Sequence, residues 1–197
     1  MKELLPDVLA ERYASTPLVN LWSRKHRIRT ERALWVADLK ARQHCGLDIP
    51  DEVIHAYEAS IDIVDLPRID QLEIERRQDV IARIEAFNEV AGHQRIHQGW
   101  TSRDLTDNIE QLLIRDTMML LRDKTVAVLA RFARRAREFK LMDMAGRSHN
   151  VPGATITLGK RFGNWARELL IAFDRLEHLI ASYPLRGIKG PMGTSGE

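Results

Sequence analysis

The sequence predicts an all-α protein, with a small N-terminal helical domain over residues 1–100 and the first long helices of a central helical bundle over residues 101–197. Apolar residues recur at the three- and four-residue spacing of helices along most of the chain. Residues 102–145 contain neither proline nor glycine, so a helix that begins there meets no breaker before Gly146. No segment shows the alternation of apolar and polar residues that would predict a strand.

The composition restricts the class of partner. The 30 basic and 28 acidic side chains nearly cancel, so the chain has no strong field for nucleic acid or an anionic membrane. No apolar run approaches the ~20 residues needed to span a bilayer, and no apolar signal core follows Met1. Cys45 has no second cysteine to pair with, which fits a reducing cytosol. We therefore expect a soluble cytoplasmic protein that binds neither nucleic acid nor a membrane.

The N-terminal domain begins with an interrupted segment and one longer helix. Residues 1–20 are expected to be irregular, because two prolines interrupt them. A helix is predicted over residues 22–45, followed by a glycine that suits its C-terminal cap. Helical spacing places Glu31 and Arg32 on a face other than the apolar one.

Three shorter helical segments are predicted before the bundle. Pro50 is followed by two acidic residues, which fits the first turn of a helix. The next segment begins near Asp65 and runs on through Ile74. The last covers residues 76–91 and ends at Gly92.

Two long helices form the predicted part of the bundle. The first begins at Thr101 and Ser102, whose hydroxyls can cap free N–H groups, and Asp104 completes an arrangement like a capping box. The predicted length of about 35 to 40 residues, at ~1.5 Å per residue, makes this helix about 55 Å long. The second is predicted over residues 157–182. Both expose more apolar surface than the short helices cover, so other copies of the chain, or a longer chain, must supply the missing bundle partners.

A polar segment with one histidine separates the two long helices. The glycines and the proline on either side of His149 are expected to fix a backbone turn that presents the imidazole at a helix end. An unperturbed histidine titrates near pH ~6.5, which suits proton transfer at neutral pH. Taken alone, these residues leave two interpretations open: a catalytic acid or a hydrogen-bonded loop histidine.

Residues 131–137 contain a cluster of arginines, which has two interpretations. It is either a nucleic-acid patch or the solvated face of an amphipathic helix. The intervening Phe132 and Ala133 favour the solvated face.

No cysteines and histidines stand at metal-ligand spacing, so we expect no metal site.

Three stretches together resemble the adenylosuccinate lyase branch of the fumarase/aspartase superfamily. Residues 101–108, with the sequence TSRDLTDN, are similar to the segment that opens the first long central helix of the family. Residues 146–161, which contain GRSH and then TLGKR, are similar to its histidine segment. Residues 186–194, from RGIKG to GT, are similar to the stretch after the next helix. The Arg12-Tyr13-Ala14-Ser15 segment also matches, so the resemblance covers nearly the whole chain.

The resemblance implies an activity. Enzymes of this branch cleave a C–N bond by β-elimination and release fumarate from adenylosuccinate and from the succinylated aminoimidazole carboxamide ribotide in purine nucleotide synthesis. The implied substrate is a small-molecule nucleotide, and no metal or organic cofactor is implied. The family assembles homotetramers whose active sites form where several subunits meet.

The resemblance also implies roles for individual residues. His149 would be the general acid for the leaving nitrogen. Ser148, Thr101 and Ser102 would donate to a substrate carboxylate, which a helix N-terminus also favours. The other substrate-binding residues it implies are Arg12 and Tyr13 at the nucleotide end, and Arg77, Gln78 and Asp79 along the same pocket.

Two departures from the family pattern leave alternatives open. The family has a second histidine where this chain has Gln78, and an amide cannot carry a proton at neutral pH. The family's serine base belongs to a glycine- and serine-rich loop beyond residue 197, so we expect this chain to be an inactive portion by itself. One alternative is a sister lyase that acts on argininosuccinate, fumarate or aspartate. The other is a non-catalytic helical scaffold derived from the superfamily.

Overall fold

A computed structural model describes residues 7–194, and its secondary structure is almost entirely helical, which confirms the predicted fold class. The eight helices of this part of the chain are α1 Val8–Tyr13, α2 Thr16–Leu21, α3 Arg24–His44, α4 Asp51–Ser60, α5 Leu66–Arg76, α6 Asp79–Ala91, α7 Ser102–Glu138 and α8 Leu158–Ser182. Between α7 and α8 the strands β1 Asp143–Ser148 and β2 Val151–Thr157 pair antiparallel.

The described residues form two compact units. The first contains the chain up to Ile114 and again from Leu185, and the second contains Arg115–Pro184. The dividing point at Ile114 lies within α7, so this helix begins in the first unit and ends in the second. The domain boundary that the sequence predicts at residue 101 stays a prediction.

An aromatic cluster forms the core of the first unit. Trp35 of α3, Tyr57 of α4 and Phe87 of α6 are all almost fully buried. The ring centroids of Tyr57 and Phe87 are 4.9 Å apart, and those of Trp35 and Phe87 are 6.1 Å apart. Leu105 and Ile109 complete this core from the first turns of α7. The burial of these side chains holds the start of α7 against the short helices.

The prediction of irregular structure for residues 1–20 is wrong over the part that the structure describes. Asp7 caps α1, because its Oδ1 accepts hydrogen bonds from the N–H groups of Leu9 at 3.0 Å and Ala10 at 3.1 Å. Pro17 lies in the first turn of α2, where the missing N–H has no partner to lose. Pro17 therefore starts a helix here instead of preventing one.

The placement of Glu31 and Arg32 away from the apolar face is also wrong. Both side chains are fully buried, because they follow Ile28 by three and four residues and lie on the same side of α3. Arg32 Nη1 donates to the carbonyl oxygens of Ser60 and Ile63, each at 2.8 Å. Its guanidinium also lies 4.5 Å from the ring centroid of an aromatic side chain of α6. These partners allow an arginine to occupy the core.

The second unit contains the end of α7, the hairpin and α8. Phe132 of α7 and Phe139, which directly follows that helix, pack on Phe162 of α8, with ring centroids 6.2 and 6.0 Å apart. Phe162 in turn meets Trp165 edge to face at 5.4 Å. These aromatic contacts join the two long helices.

The first long helix contains 37 residues and ends at Glu138, which agrees with the predicted length. The β-hairpin of residues 143–157 corrects the sequence-based prediction, in which no strand was expected. Three consecutive β-branched residues at the end of β2, Thr155-Ile156-Thr157, favour an extended backbone. Thr157 then caps α8, since its Oγ1 accepts from the N–H of Lys160 at 3.1 Å.

Large apolar side chains remain exposed along both helices of the second unit. They include Met119 and Val126 on α7, both 46% exposed, and Trp165 at 46% and Leu179 at 48% on α8. This exposure agrees with the surplus of apolar surface expected from the sequence. No helix within residues 7–194 combines the length and apolar character needed to cross a membrane.

Gly159 allows the close approach of α8 to the end of α7. A Cβ atom there would lie 2.5 Å from the carbonyl oxygen of Ala136 and 2.7 Å from the Cα of Lys140. Gly163, one turn further along α8, has open space where its Cβ would be.

We predict that Gly159→Ala lowers the free energy of unfolding by ~1–3 kcal/mol, because the added methyl group meets backbone atoms. Gly163→Ala is the matched control and should raise the free energy of unfolding by up to ~1 kcal/mol, because alanine is the better helix former. Urea denaturation followed by circular dichroism measures both. Equal effects of the two substitutions would contradict the close packing at Gly159.

Candidate active site

Gln78, at the junction between α5 and α6, contacts a second predicted site residue, Ser102. Arg77 ends α5 in the left-handed conformation, with φ of 53°, and its N–H donates to the carbonyl oxygen of Glu73 at 2.8 Å. Gln78 is extended and caps α6, because its Oε1 accepts a hydrogen bond from the N–H of Ile81. Its Nε2 donates to the Oγ of Ser102 at 3.1 Å. The side chain of Gln78 thus spans from the start of α6 to the start of α7.

The start of α7 shows half of the predicted capping box. Asp104 Oδ2 accepts from the N–H of Thr101 at 3.0 Å, as predicted. The N–H of Asp104 donates to the carbonyl oxygen of Thr101 at 2.9 Å and not to its hydroxyl. Within residues 7–194 the Thr101 hydroxyl has no hydrogen-bond partner, so this helix start does not use it as a cap. The hydroxyl remains able to bind a ligand.

Asp104 also accepts hydrogen bonds from the third stretch that the sequence singled out. Its side chain is fully buried, Oδ1 accepts from the N–H of Lys189 at 3.1 Å, and Oδ2 accepts from the N–H of Gly190 at 2.8 Å. Arg186 Nε approaches Oδ1 at 3.3 Å. Burial of the carboxyl group acts to raise its pKa, but these donors outweigh burial and hold the pKa of Asp104 below its usual value.

Asn108 and Asp107, one turn further along α7, also contact the stretch that follows α8. Asn108 Nδ2 donates to the carbonyl oxygen of Gly187 at 2.9 Å, and Asn108 Oδ1 accepts from the N–H of Gly187 at 3.0 Å. Arg186 Nη1 lies 3.1 Å from Asp107 Oδ2. Residues 101–108 and 186–190, which are far apart in the sequence, are therefore joined by hydrogen bonds in the first unit.

A buried ion pair supports the first turn of α6. Arg83 Nη2 lies 2.9 Å from Asp79 Oδ2, and Arg83 Nε lies 2.9 Å from Glu31 Oε2. Both Glu31 oxygens are buried without a hydrogen bond of good geometry among the described residues. Burial therefore raises the pKa of Glu31 to about 7, although Arg83 and Arg27 act against it. No local pattern in the sequence pairs Glu31 with Arg83, although the spacing of Glu31 from Ile28 indicates its buried position.

His149 lies at the tip of the hairpin and not at a helix end, which corrects the sequence-based prediction. Ser148 pairs with Val151 across the hairpin, so His149 and Asn150 form a two-residue turn. Their φ angles are 51° and 64°, and positive φ at both positions is the mark of a type I′ turn. The side chains of Ser148 and His149 are exposed in the second unit.

The glycines and the proline near His149 have roles other than turning the chain. Gly146 lies at the irregularity between Ala145 and Arg147 in β1, where a Cβ would come 2.7 Å from the carbonyl oxygen of Ala154. Pro152 lies in β2 opposite Arg147. This ribbon has only two strands, so a proline is tolerated where its missing N–H faces an open edge.

Arg12 and Tyr13 are the last two residues of α1. Tyr13 is 75% exposed and lines a groove of about 720 Å³ together with Leu18 and Trp22. The hydrogen bonds and ion pairs of the described residues do not link Arg12 or Tyr13 to the α6 and α7 starts. Their role in binding a nucleotide stays a prediction, as does every other assigned site role.

The arrangement at the α7 start is suited to binding an anion. The hydroxyls of Thr101 and Ser102 stand beside a helix N-terminus, where the N–H groups and the helix dipole favour negative charge. The cationic side chain of Arg77 is exposed immediately before Gln78.

Among residues 7–194, no group of three or more histidine, cysteine, aspartate or glutamate side chains is arranged to hold a metal ion.

The family of the chain follows from a direct match. A family model described as a lyase matches residues 26–195, and the chain belongs to this lyase family. The relatives it resembles are adenylosuccinate lyases, and this confirms the resemblance drawn from the three stretches. The enzyme of Saccharomyces cerevisiae is 35% identical over 191 residues, which is 94% of this chain and 40% of that protein. That of Schizosaccharomyces pombe is 34% identical over 192 residues. The chain thus spans about 40% of the length of these curated relatives.

Solved structures agree with the helical fold. The 3-carboxy-cis,cis-muconate lactonizing enzyme of Pseudomonas putida matches 95% of this chain and 44% of its own, with a TM-score of 0.81 and 19% identity. A fumarate lyase from Mesorhizobium sp. BNC1 matches 93% of this chain and 45% of its own, with a TM-score of 0.78 and 23% identity. At these identities the likeness shows the shared fold.

We predict that Asp104→Asn lowers the free energy of unfolding by ~1.5–3 kcal/mol, because a buried charged acceptor with several N–H donors is lost. The difference from the wild type should shrink as the pH falls below 3.8, the ordinary pKa of an aspartate, because the stabilisation requires the ionised carboxylate.

Asp116→Asn is the matched control, because Asp116 is exposed on the same helix. This control should change the free energy of unfolding by no more than ~0.5 kcal/mol. Urea denaturation at several pH values measures both variants. A loss as small as that of Asp116→Asn would show that the Asp104 contacts contribute little.

A pH dependence follows from the buried Glu31. Its pKa is raised from 4.5 to about 7, so the folded state holds a proton that the unfolded state has released in this range. The stabilisation is fully present below pH 4.5 and is lost as the pH rises through about 7, with a slope of at most ~1.4 kcal/mol per pH unit. Glu31→Gln should remove this slope. A constant difference between wild type and variant across the range would contradict the raised pKa.

Proposed function

We propose that this chain supplies the N-terminal domain and first long helices of an adenylosuccinate lyase. The reaction is the β-elimination of fumarate from adenylosuccinate and from the succinylated aminoimidazole carboxamide ribotide. One observation carries the proposal: the chain is 35% identical to an adenylosuccinate lyase over 191 residues, a match that extends along 94% of it. The attachment of residues 186–190 to residues 101–108 supports it, because both stretches resemble that branch.

His149 is the proposed general acid, which protonates the nitrogen as the C–N bond breaks. An imidazole at the tip of a hairpin turn is exposed and carries no hydrogen bond within residues 7–194, so it is available to a substrate. Ser148, the residue before it, is proposed to donate to a substrate carboxylate. General acid catalysis of this kind contributes typically ~10²–10⁴-fold.

Thr101 and Ser102 are proposed to hold the other carboxylate interactions. Charge develops on a carboxylate when the β-proton is removed, and preorganised donors stabilise that charge. The Thr101 hydroxyl has no partner among the described residues, and the Ser102 hydroxyl accepts only from Gln78 there. Both hydroxyl protons are therefore free to donate to a carboxylate.

The remaining proposed site residues bind the nucleotide end of the substrate. Arg12 and Tyr13 present exposed side chains at the end of α1, and Arg77 presents an exposed guanidinium between α5 and α6. Asp79 belongs to the same pocket in the proposal, where Arg83 fixes its position from 2.9 Å.

The β-proton requires a base that we place outside residues 1–197. The chain spans about 40% of its curated relatives, and the proposed serine base and its flexible loop belong to the remainder. Gln78 stands where the family has a histidine, and an amide cannot exchange a proton in the reaction. The proposed chemistry thus uses His149 as the acid of this part of the chain.

We propose that the assembled enzyme is a cytoplasmic homotetramer without metal or organic cofactor. The exposed apolar side chains along α7 and α8 are the proposed subunit contacts. Cys45 is an exposed free thiol, which supports a reducing compartment. In such an assembly, several subunits would contribute to each active site.

Gln78 favours a second candidate, a non-catalytic helical scaffold that retains the fold. Both ends of its amide take part in structural hydrogen bonds, to Ile81 and to Ser102. A sister lyase acting on argininosuccinate is the other candidate from the same family. Thermal unfolding separates these candidates, because a ligand protects the state that binds it. Adenosine monophosphate should protect the chain and argininosuccinate should not.

A chimera tests the proposed activity. Residues of this chain replace the aligned part of the Saccharomyces cerevisiae enzyme, and fumarate release from adenylosuccinate is measured. We predict that the chimera is active, that the 197-residue chain alone is not, and that His149→Asn in the chimera, which keeps a residue that tolerates positive φ, lowers kcat by ~10²–10⁴-fold.

His178→Asn is the control for this substitution, because His178 is an exposed histidine of α8 with no proposed role. It should leave kcat unchanged. An assembled chimera whose kcat does not depend on His149 would overturn the assignment of the acid. Steady fumarate release by the chain alone would overturn the assignment of the base to another segment.

A further inference from the structure

We infer that Gln78 is a positioning residue that fixes the direction of the Ser102 hydroxyl proton and turns it toward an anionic ligand. The inference rests on the proposed function, in which Ser102 donates to a substrate carboxylate. It adds a role for the residue at which this chain departs from its family. That role passes through Ser102 and requires no contact between Gln78 and the substrate.

The orientation of the Gln78 amide is determined by its bond to α6. The N–H of Ile81 can only donate, so the atom of Gln78 that faces it must be the oxygen. The amide nitrogen is then the atom that lies 3.1 Å from Ser102 Oγ. Capping of α6 and contact with Ser102 therefore use opposite ends of one rigid amide group.

The direction of the hydrogen bond follows from the nature of its donor. An amide nitrogen donates and does not accept, so Ser102 Oγ must be the acceptor in this contact. A hydroxyl has one proton, and that proton cannot also lie between Ser102 and Gln78. The Ser102 proton is left to point elsewhere, and no acceptor within residues 7–194 takes it.

The surroundings of Ser102 identify the kind of acceptor that would complete the arrangement. Ser102 is partly exposed, and the neighbouring Thr101 hydroxyl is also without a partner in the described residues. Both stand at the first turn of α7, where N–H groups and the helix dipole add to the attraction of an anion. A carboxylate has the two oxygens and the charge to accept from both hydroxyls.

An amide supplies this direction at every pH. A carboxylate at position 78 would accept from Ser102 and turn its proton away from the ligand, and an imidazole would do either, depending on its tautomer. The Gln78 amide does not titrate, so it presents a donor to Ser102 throughout the neutral range. The same oxygen that caps α6 keeps the amide from rotating.

Gln78→Glu reverses the bond without changing the shape of the side chain. One oxygen keeps the cap on α6, and the other now accepts from the Ser102 hydroxyl. Because the new charge also repels an anion, the test is a double-mutant cycle with Ser102→Ala, in which the charge is retained but the hydroxyl is absent. Fumarate is the probe, titrated into the 197-residue chain and followed by NMR.

We expect Gln78→Glu to weaken fumarate binding by about 10-fold or more when Ser102 is present, which is the typical effect of losing a hydrogen bond to a charged group. In the Ser102→Ala background the same substitution should weaken binding by only a few-fold. At low pH, where the new carboxyl is protonated, the difference in fumarate binding between Gln78→Glu and the wild type at the same pH should shrink. Equal losses in the two backgrounds would overturn the inference and leave the proposed function intact.

A measurement without ligand tests the direction of the Gln78–Ser102 hydrogen bond separately from the proposed carboxylate site. The side-chain amide protons of Gln78 in a ¹⁵N-labelled sample should move upfield in Ser102→Ala, because the acceptor is removed. An unchanged signal would overturn the inference whether or not fumarate binds. A shifted signal in a wild-type chain that binds no fumarate would support the hydrogen-bond direction and count against the proposed carboxylate site.

Discussion

A buried carboxylate joins parts of the chain that are more than eighty residues apart in sequence. Asp104 accepts hydrogen bonds from the start of α7 and from the N–H groups of Lys189 and Gly190, which follow the whole of the second unit in the chain. Without these donors a buried charge would be strongly unfavourable. The position of residues 186–190 and the first turn of α7 therefore depend on each other. The proposed ligand hydroxyls belong to that turn, so their geometry depends on this carboxylate as well.

Side chains around the site hold one another in a sequence of contacts. Glu31 fixes Arg83, Arg83 fixes Asp79, and the adjacent Gln78 reaches Ser102. Each of these contacts restricts the side-chain conformations of the residues that take part in it. Polar side chains that bind a substrate are usually held in this way, because a donor that has already been oriented loses little entropy when the ligand arrives.

Most of the fold was predictable from the sequence, and the failures have physical causes. Helical spacing and cap residues located α3 to α8 to within a few residues, because these signals are local. The hairpin of residues 143–157 was not predicted, because its two-residue turn, His149-Asn150, contains neither a glycine nor the Asn-Gly pair that usually indicates such a turn. The burial of Glu31 and Arg32 was missed because their partners belong to other helices. At the site, the resemblance of motifs identified Gln78 and Ser102, but only the structure shows that their side chains form a hydrogen bond with each other.

The left-handed backbone at positions 149 and 150 limits which residues this turn accepts. Histidine and asparagine tolerate positive φ better than most side chains, whereas a valine or isoleucine there would clash with its own backbone. A change at residue 149 can therefore fail for two separate reasons, the loss of an imidazole or the loss of the turn. Asparagine at this position would keep the turn and remove the imidazole. Residue 149 must therefore meet two independent requirements, a backbone that tolerates positive φ and a side chain that carries an imidazole.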